Sequence, residues 1–160
     1  NAGPPMNPSA YNNNVQIFQA PGYVVLLNEM VHDSRIVSLD GRGHLPGKMR
    51  QWRGDSRGRW DGDTLVVEST NFTEKTSFSG SGQAMRLVER FTRIDDGTVL
   101  YEYTVDDPDS FVSPWTVAIP MKHSDQPLFE YACHEGNYGM TNLMESARAV
   151  DAQRAVSGAQ

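Results

Sequence analysis

"QWRGDSRGRWDGDTLVVEST", residues Gln51 to Thr70, decides the fold. Ser56 to Trp60 reads as a strand, and Thr64 to Thr70 is a β-branched run that returns beside it. Between them Asp61-Gly62 supplies the positive φ values of a tight two-residue hairpin turn. The stretch also contains Arg53-Gly54-Asp55-Ser56, the tetrapeptide that adhesion receptors read. An adhesion loop needs a free, flexible tip. This one runs straight into a strand and is flanked by Trp52 and Trp60, so Gly54 is read as permitting a turn and Arg53 as pairing locally with Asp55.

The same grammar recurs on both sides. Met85 to Ile94 sets Leu87, Glu89 and Phe91 against Arg86, Val88 and Arg90, Asp95-Asp96-Gly97 turns, and Thr98 to Val105 returns with Tyr101 and Tyr103 on one face. Val15 to Phe18, Tyr23 to Leu27, Arg35 to Leu39, Trp115 to Met121 and Leu128 to Cys133 complete the set of short strands. Tyr138 to Ala155 is the one convincing helix, with Leu143, Ala147 and Val150 as its inner stripe. No βαβ alternation occurs, which excludes a parallel α/β sheet. Several strands carry charge on both faces, which a dry sandwich core would reject and a cup would use. The expected fold is therefore mainly β: a small, partly open antiparallel β-barrel with one C-terminal α-helix. Residues 1–14 form an irregular Pro- and Asn-rich arm, 15–137 the barrel, and 138–156 a helix packed on or beside it.

Composition narrows the function. The chain has 160 residues, 38% hydrophobic and 21% charged, with a net charge of -6. That length suits one domain with a real core. Acids and bases are interspersed, so no basic face for nucleic acid exists, and no apolar run approaches the roughly 20 residues of a membrane span. Lysine occurs only at positions 48, 75 and 122, so almost all positive charge is arginine, the residue suited to carboxylate pairing in half-buried sites. Cys133 is the only cysteine, which rules out an internal disulfide.

The phrases "RIVSLDGRGHLP", "RQWRGDSRGRWDGDTLVVESTNF", "LVERFTRIDDGTVLYEYTVDDP", "PWTVAIPM" and "EYACHEGNY" resemble a family of uncharacterised, mostly exported bacterial proteins, from about Tyr11 to Arg148. The resemblance implies an extracytoplasmic location, periplasmic or secreted. It also implies a longer precursor, in which Cys133 has a partner upstream of Asn1. It carries no assigned chemistry. The Trp-Asp-Gly-Asp-Thr-Leu pattern also looks like lipocalin-type (calycin-type) barrels, a likeness that concerns fold alone.

Candidate site residues follow from chemistry on strands. Arg35, Arg57, Arg59 and Arg90 together with Glu68, Glu89, Glu102 and Glu130 should pair across strands, because an inward Arg without a carboxylate costs several kcal/mol. Read structurally, they form an ion-pair lattice; read functionally, they line a pocket. For proton transfer the candidates are His134 with Glu130, four apart on one strand face, and His32 beside Asp33. For ligand contact they are Arg59, Arg90 and Glu68, with Trp60 and Tyr103 as stacking platforms. No zinc signature, EF-hand loop or nucleophile elbow is present, so neither a metal nor another cofactor is expected. Asn71-Phe72-Thr73 matches a glycosylation acceptor.

Two functions fit. In the first, the barrel binds a small organic ligand, carbohydrate-derived or aromatic, in a polar and aromatic cup, with lyase, hydrolase or isomerase chemistry by metal-free acid–base groups compatible with it. In the second, the chain is a non-catalytic module of an extracytoplasmic assembly, with residues 1–14 lacing a homo-oligomer together.

Overall fold

A computed structural model describes residues 4–8, 13–29, 32–75, 78–128 and 138–157. Eight strands follow in chain order: β1 (Val15–Ala20), β2 (Tyr23–Asn28), β3 (Ser34–Ser38), β4 (Asp55–Asp61), β5 (Thr64–Thr70), β6 (Arg86–Asp95), β7 (Thr98–Asp106) and β8 (Trp115–Lys122). They form one sheet in the order β1 to β8. The sheet curls into a half-barrel, as the charge on both strand faces predicts. Every neighbouring pair is antiparallel except β3 and β4, which meet in parallel at Ser38 and Arg57. That departs from the expected all-antiparallel sheet. Its cause is the long connection 39–54, which carries the chain back to the end from which β3 began; parallel strands need such a crossover.

Strand alternation assigns the two faces. On β6 and β7, Leu87, Glu89 and Phe91 lie opposite Val105, Tyr103 and Tyr101. These side chains are buried, and with Val24, Leu26, Val37, Leu65, Val67, Phe72, Phe78 and Met85 they fill the concave side. Phe78, Tyr103, Trp115 and Phe111 form an aromatic cluster at one end, with ring centroids 5.7–6.1 Å apart. The opposite parity on β4 and β6 carries Arg57, Arg59, Arg86 and Arg90 outward. Val66 is buried on that outer face, where its register partners are Arg59 and Arg90.

The β4–β5 hairpin closes as read, with a small correction. Asp61 pairs with Thr64, so the two-residue loop is Gly62-Asp63, and only Gly62 takes a positive φ, of 58°. Gly54 has φ 69°, and a side chain there would run into the Thr70 carbonyl and the Phe72 ring. The turn it permits holds no Arg53–Asp55 pair. Arg53 instead pairs with Asp33 of the β2–β3 turn, and Asp55 faces the 39–54 connection.

Helix α1 (Gly139–Ser157) forms where its period predicts, but Leu143 and Val150 of the expected inner stripe stay exposed. The stripe has two large apolar residues a full heptad apart with only Ala147 between them, too little to draw the helix onto a sheet. No described helix is long and apolar enough to cross a membrane. The strand expected over Leu128 to Cys133 lies outside the described residues beyond Leu128.

Candidate functional site

Three places combine unusual chemistry with defined geometry. The first is inside the half-barrel. Arg35 on β3 reaches across the concave face to Glu89 on β6 and grips it with both guanidinium nitrogens, the Nη2–Oε1 bond being 2.9 Å. The Tyr101 hydroxyl donates to the same Oε1 at 2.7 Å. All three side chains are buried. Burial opposes the Arg35 charge, and Glu89 outweighs it by charge and hydrogen bonding, raising the guanidinium pKa. Burial, reinforced by the Glu89 charge, pushes the Tyr101 phenol well above its ordinary value. Arg35 and Glu89 belong to the sets expected to pair, and here they do so across the curl rather than between adjacent strands.

The N-terminal segment 4–8 lies over this centre. Its Met6 amide donates to the Tyr101 hydroxyl at 3.0 Å, and Tyr103 donates to Asn7 Oδ1 at 2.6 Å. Pro4 and Pro5 are buried. The described part of the arm is thus strapped to its own chain.

The second place is on the outer face. Asp55 at the start of β4 accepts from the Leu45 amide at 2.9 Å, sits 3.0 Å from His44 Nδ1, and pairs with Arg57 at 3.1 Å. Glu68 on β5 lies 3.6 Å from His44 Nε2 and takes Arg86 with two bonds of 3.0 and 2.7 Å. Asn71, held in the left-handed region at φ 61°, donates from Nδ2 to the Leu45 carbonyl at 2.9 Å. Burial raises the Asp55 pKa, but the bonds from Leu45, His44 and Arg57 prevail and hold it below the usual carboxylate value. Arg86 holds Glu68 low in the same way, against the pull of burial. Leu45 and His44 tie Asp55 to the 39–54 connection, Arg57 pairs with it within β4, and Arg86 ties Glu68 to β6. Chemically this is a latch; of the sets read from the sequence it holds Arg57 and Glu68, but their partners Asp55 and Arg86 lie outside those sets.

The third place is the seam. The two edge strands β1 and β8 line one cleft of about 880 Å³, together with segment 6–8, the β6–β7 turn and residues 122–128. Its floor is apolar: Met6, Val15, Ile17, Val99, Ile119 and Met121 pack against the core yet are only half covered. Its rim is polar, with Asn28, Arg93, Asp95, Lys122 and Gln126 among the lining residues.

The sequence-predicted residues do not converge. Arg59, Glu68 and Arg90 share the outer face, where Arg90 pairs with Asp61 at 3.1 Å and Glu68 belongs to the latch. Tyr103 faces inward and secures the strap, and Trp60 follows the inward parity at the half-exposed end of β4. His32 sits exposed in the β2–β3 turn at φ 49°, and its neighbour Asp33 is taken by Arg53. His134 and Glu130 lie outside the described residues, as does Cys133. Asn71 is buried with its amide engaged, which leaves nothing for a glycan to join. The cleft escapes sequence reading because its walls come from both ends of the sheet; the only trace is a pair of half-amphipathic edge strands. Among the described residues no group of three or more His, Cys, Asp or Glu side chains is placed to hold a metal ion. Neither a family model, nor a curated protein, nor a solved structure matches the chain.

Proposed function

We propose that this chain is a small-molecule-binding half-barrel whose site is the cleft between β1 and β8. One observation carries the reading: apolar side chains continuous with the core are left half covered on the floor of a cleft of about 880 Å³ with a polar rim. Ligand pockets typically run from about 300 to 1,000 Å³ with mostly apolar walls and a few polar groups that orient the guest. The concave centre is already filled by Arg35, Glu89 and Tyr101, and the outer His44 group is engaged by its own partners, so of these three places among the described residues the seam is the one with room. A carbohydrate-derived or aromatic guest of modest size suits such a lining.

The test is a fluorescence titration with the neutral dye N-phenyl-1-naphthylamine. Saturable enhancement at one dye per chain is expected, with loss of binding in an Ile119→Glu protein whose thermal unfolding remains cooperative. Should the parent protein give no saturable signal, or Ile119→Glu and Val99→Asp both bind as the parent does, the seam is not a binding site.

A further inference from the structure

The rim of the cleft is more selective than its floor. It carries two cations, Arg93 and Lys122, and two anions, Asp95 and Asp96. Each is engaged nearby. Arg93 pairs with Asp96 at 3.3 Å and donates to the Asp95 and Asp96 carbonyls at 3.2 Å. Lys122 donates to Thr98 Oγ1 at 2.8 Å, and Asp95 accepts from the Gly97 amide at 2.8 Å. The four formal charges sum to zero, with Arg93 paired to Asp96 and Lys122 acting electrostatically on Asp95, so the rim carries no net charge to draw in a carboxylate or an ammonium group. A charged guest would lose hydration there and would have to compete with Asp95 or Asp96 for a counter-charge.

What the rim does offer is amides. Gln16, Asn28 and Gln126 line the cleft, alongside Asn7, whose Oδ1 is taken by Tyr103, and Asn14, whose Nδ2 donates to Glu29. A carboxamide presents an acceptor oxygen and two donor hydrogens, the combination that matches vicinal hydroxyl groups, each of which both donates and accepts. Asn28 has the inward parity of Val24 and Leu26, stands opposite Val15, and is part-buried, so it marks the point where floor meets rim. The floor below it, Val15, Ile17, Val99, Ile119 and Met121, is aliphatic and offers no stacking ring.

Resting on the seam as the binding site, we infer that the ligand is an uncharged amphiphile: an alkyl chain on the aliphatic floor and a polyhydroxylated, sugar-like head among the rim amides. Neither part suffices. The head alone has no floor contact, and a tail with an ionic head meets a rim of no net charge.

Isothermal titration of the parent protein with octyl β-D-glucoside below its micellar concentration, octanoate, octylammonium and glucose tests this. Expected is saturable binding of the glucoside at one per chain, with octanoate and octylammonium at least about tenfold weaker and glucose weaker still. Asn28→Leu should weaken the glucoside about fivefold or more without weakening octanoate, and Gln126→Ala, in an exposed loop, should act in the same direction. If an ionic amphiphile binds as tightly as the glucoside, the head-group assignment is wrong while the cleft stands. If both variants bind the glucoside as the parent does, the rim amides do not read the head and the inference fails. If the dye binds but none of the four compounds does, the ligand class is wrong; if the dye fails too, the site itself is.

Discussion

Replacing Arg35 with methionine should be the most damaging single change short of breaking the backbone. Arg35 is 6% exposed and Glu89 not exposed at all, so Arg35→Met strands a carboxylate in the barrel interior with only the Tyr101 hydroxyl to share it. Breaking a buried pair by removing one partner typically costs about 3–5 kcal/mol. A domain of this size has total stability on the order of 5–15 kcal/mol, so between about a fifth and all of it is lost. With a urea dependence of about 2 kcal/mol per molar, the midpoint falls by roughly 1.5–2.5 M. The double variant Arg35→Met/Glu89→Leu removes both charges and leaves only the Tyr101 hydroxyl without an acceptor, a penalty of about 1–3 kcal/mol. The double variant should therefore be no less stable than Arg35→Met alone, and the coupling should exceed 1 kcal/mol. Equilibrium urea unfolding followed by tryptophan fluorescence provides the assay. An Arg35→Met protein within about 1 kcal/mol of the parent, or additive single changes, would refute a buried pair spanning the curl.

Gly54→Ala should destabilise by more than about 2 kcal/mol, because a left-handed φ and an ideal Cβ 2.5 Å from the Thr70 carbonyl leave no relaxed position; thermal melting reads it directly. The outer latch should open in acid. Asp55 and Glu68 both titrate below their unfolded values, so their contribution is complete above those values, near pH 4, and is lost as pH falls through the lower folded ones. Stability measured from pH 6 to 2.5 should drop more steeply for the parent than for Asp55→Asn or Glu68→Gln, and amide exchange in residues 39–54 should already be faster at pH 6 in Asp55→Asn. Equal slopes in all three proteins would remove the latch.

The local grammar of this chain was legible and its long-range chemistry was not. Period-two alternation and Gly- or Asp-containing turns mark all eight described strands to within a residue or two, because each depends on neighbours in sequence. The inward sets on β6 and β7 follow the same logic, and so does the need for Arg35 and Glu89 to find partners. Which partner each takes depends on the curl: Arg35 and Glu89 are 54 positions apart and on strands that are not neighbours. Arg59, Glu68 and Arg90 carry the chemistry of a pocket, but their parity turns them to the outer face, where Arg86 takes Glu68 and Asp61 takes Arg90. His44 gains two carboxylate neighbours only because the 39–54 connection folds back over β4 and β5, and no pattern in "GRGHLP" announces that. The helical stripe fails for a different reason: periodicity guarantees a shared face, whereas burial needs enough apolar area on it.

The central claim is that curling brings the first and last described strands to a common cleft that holds a guest. Amide chemical-shift mapping of isotope-labelled protein during titration with N-phenyl-1-naphthylamine tests it most directly. The account predicts that Val15 and Ile17 on β1 shift together with Val99 on β7 and with Ile119 and Met121 on β8, along one saturation curve. Shifts confined to one edge of the sheet, or centred on His44 at the outer face, would contradict it.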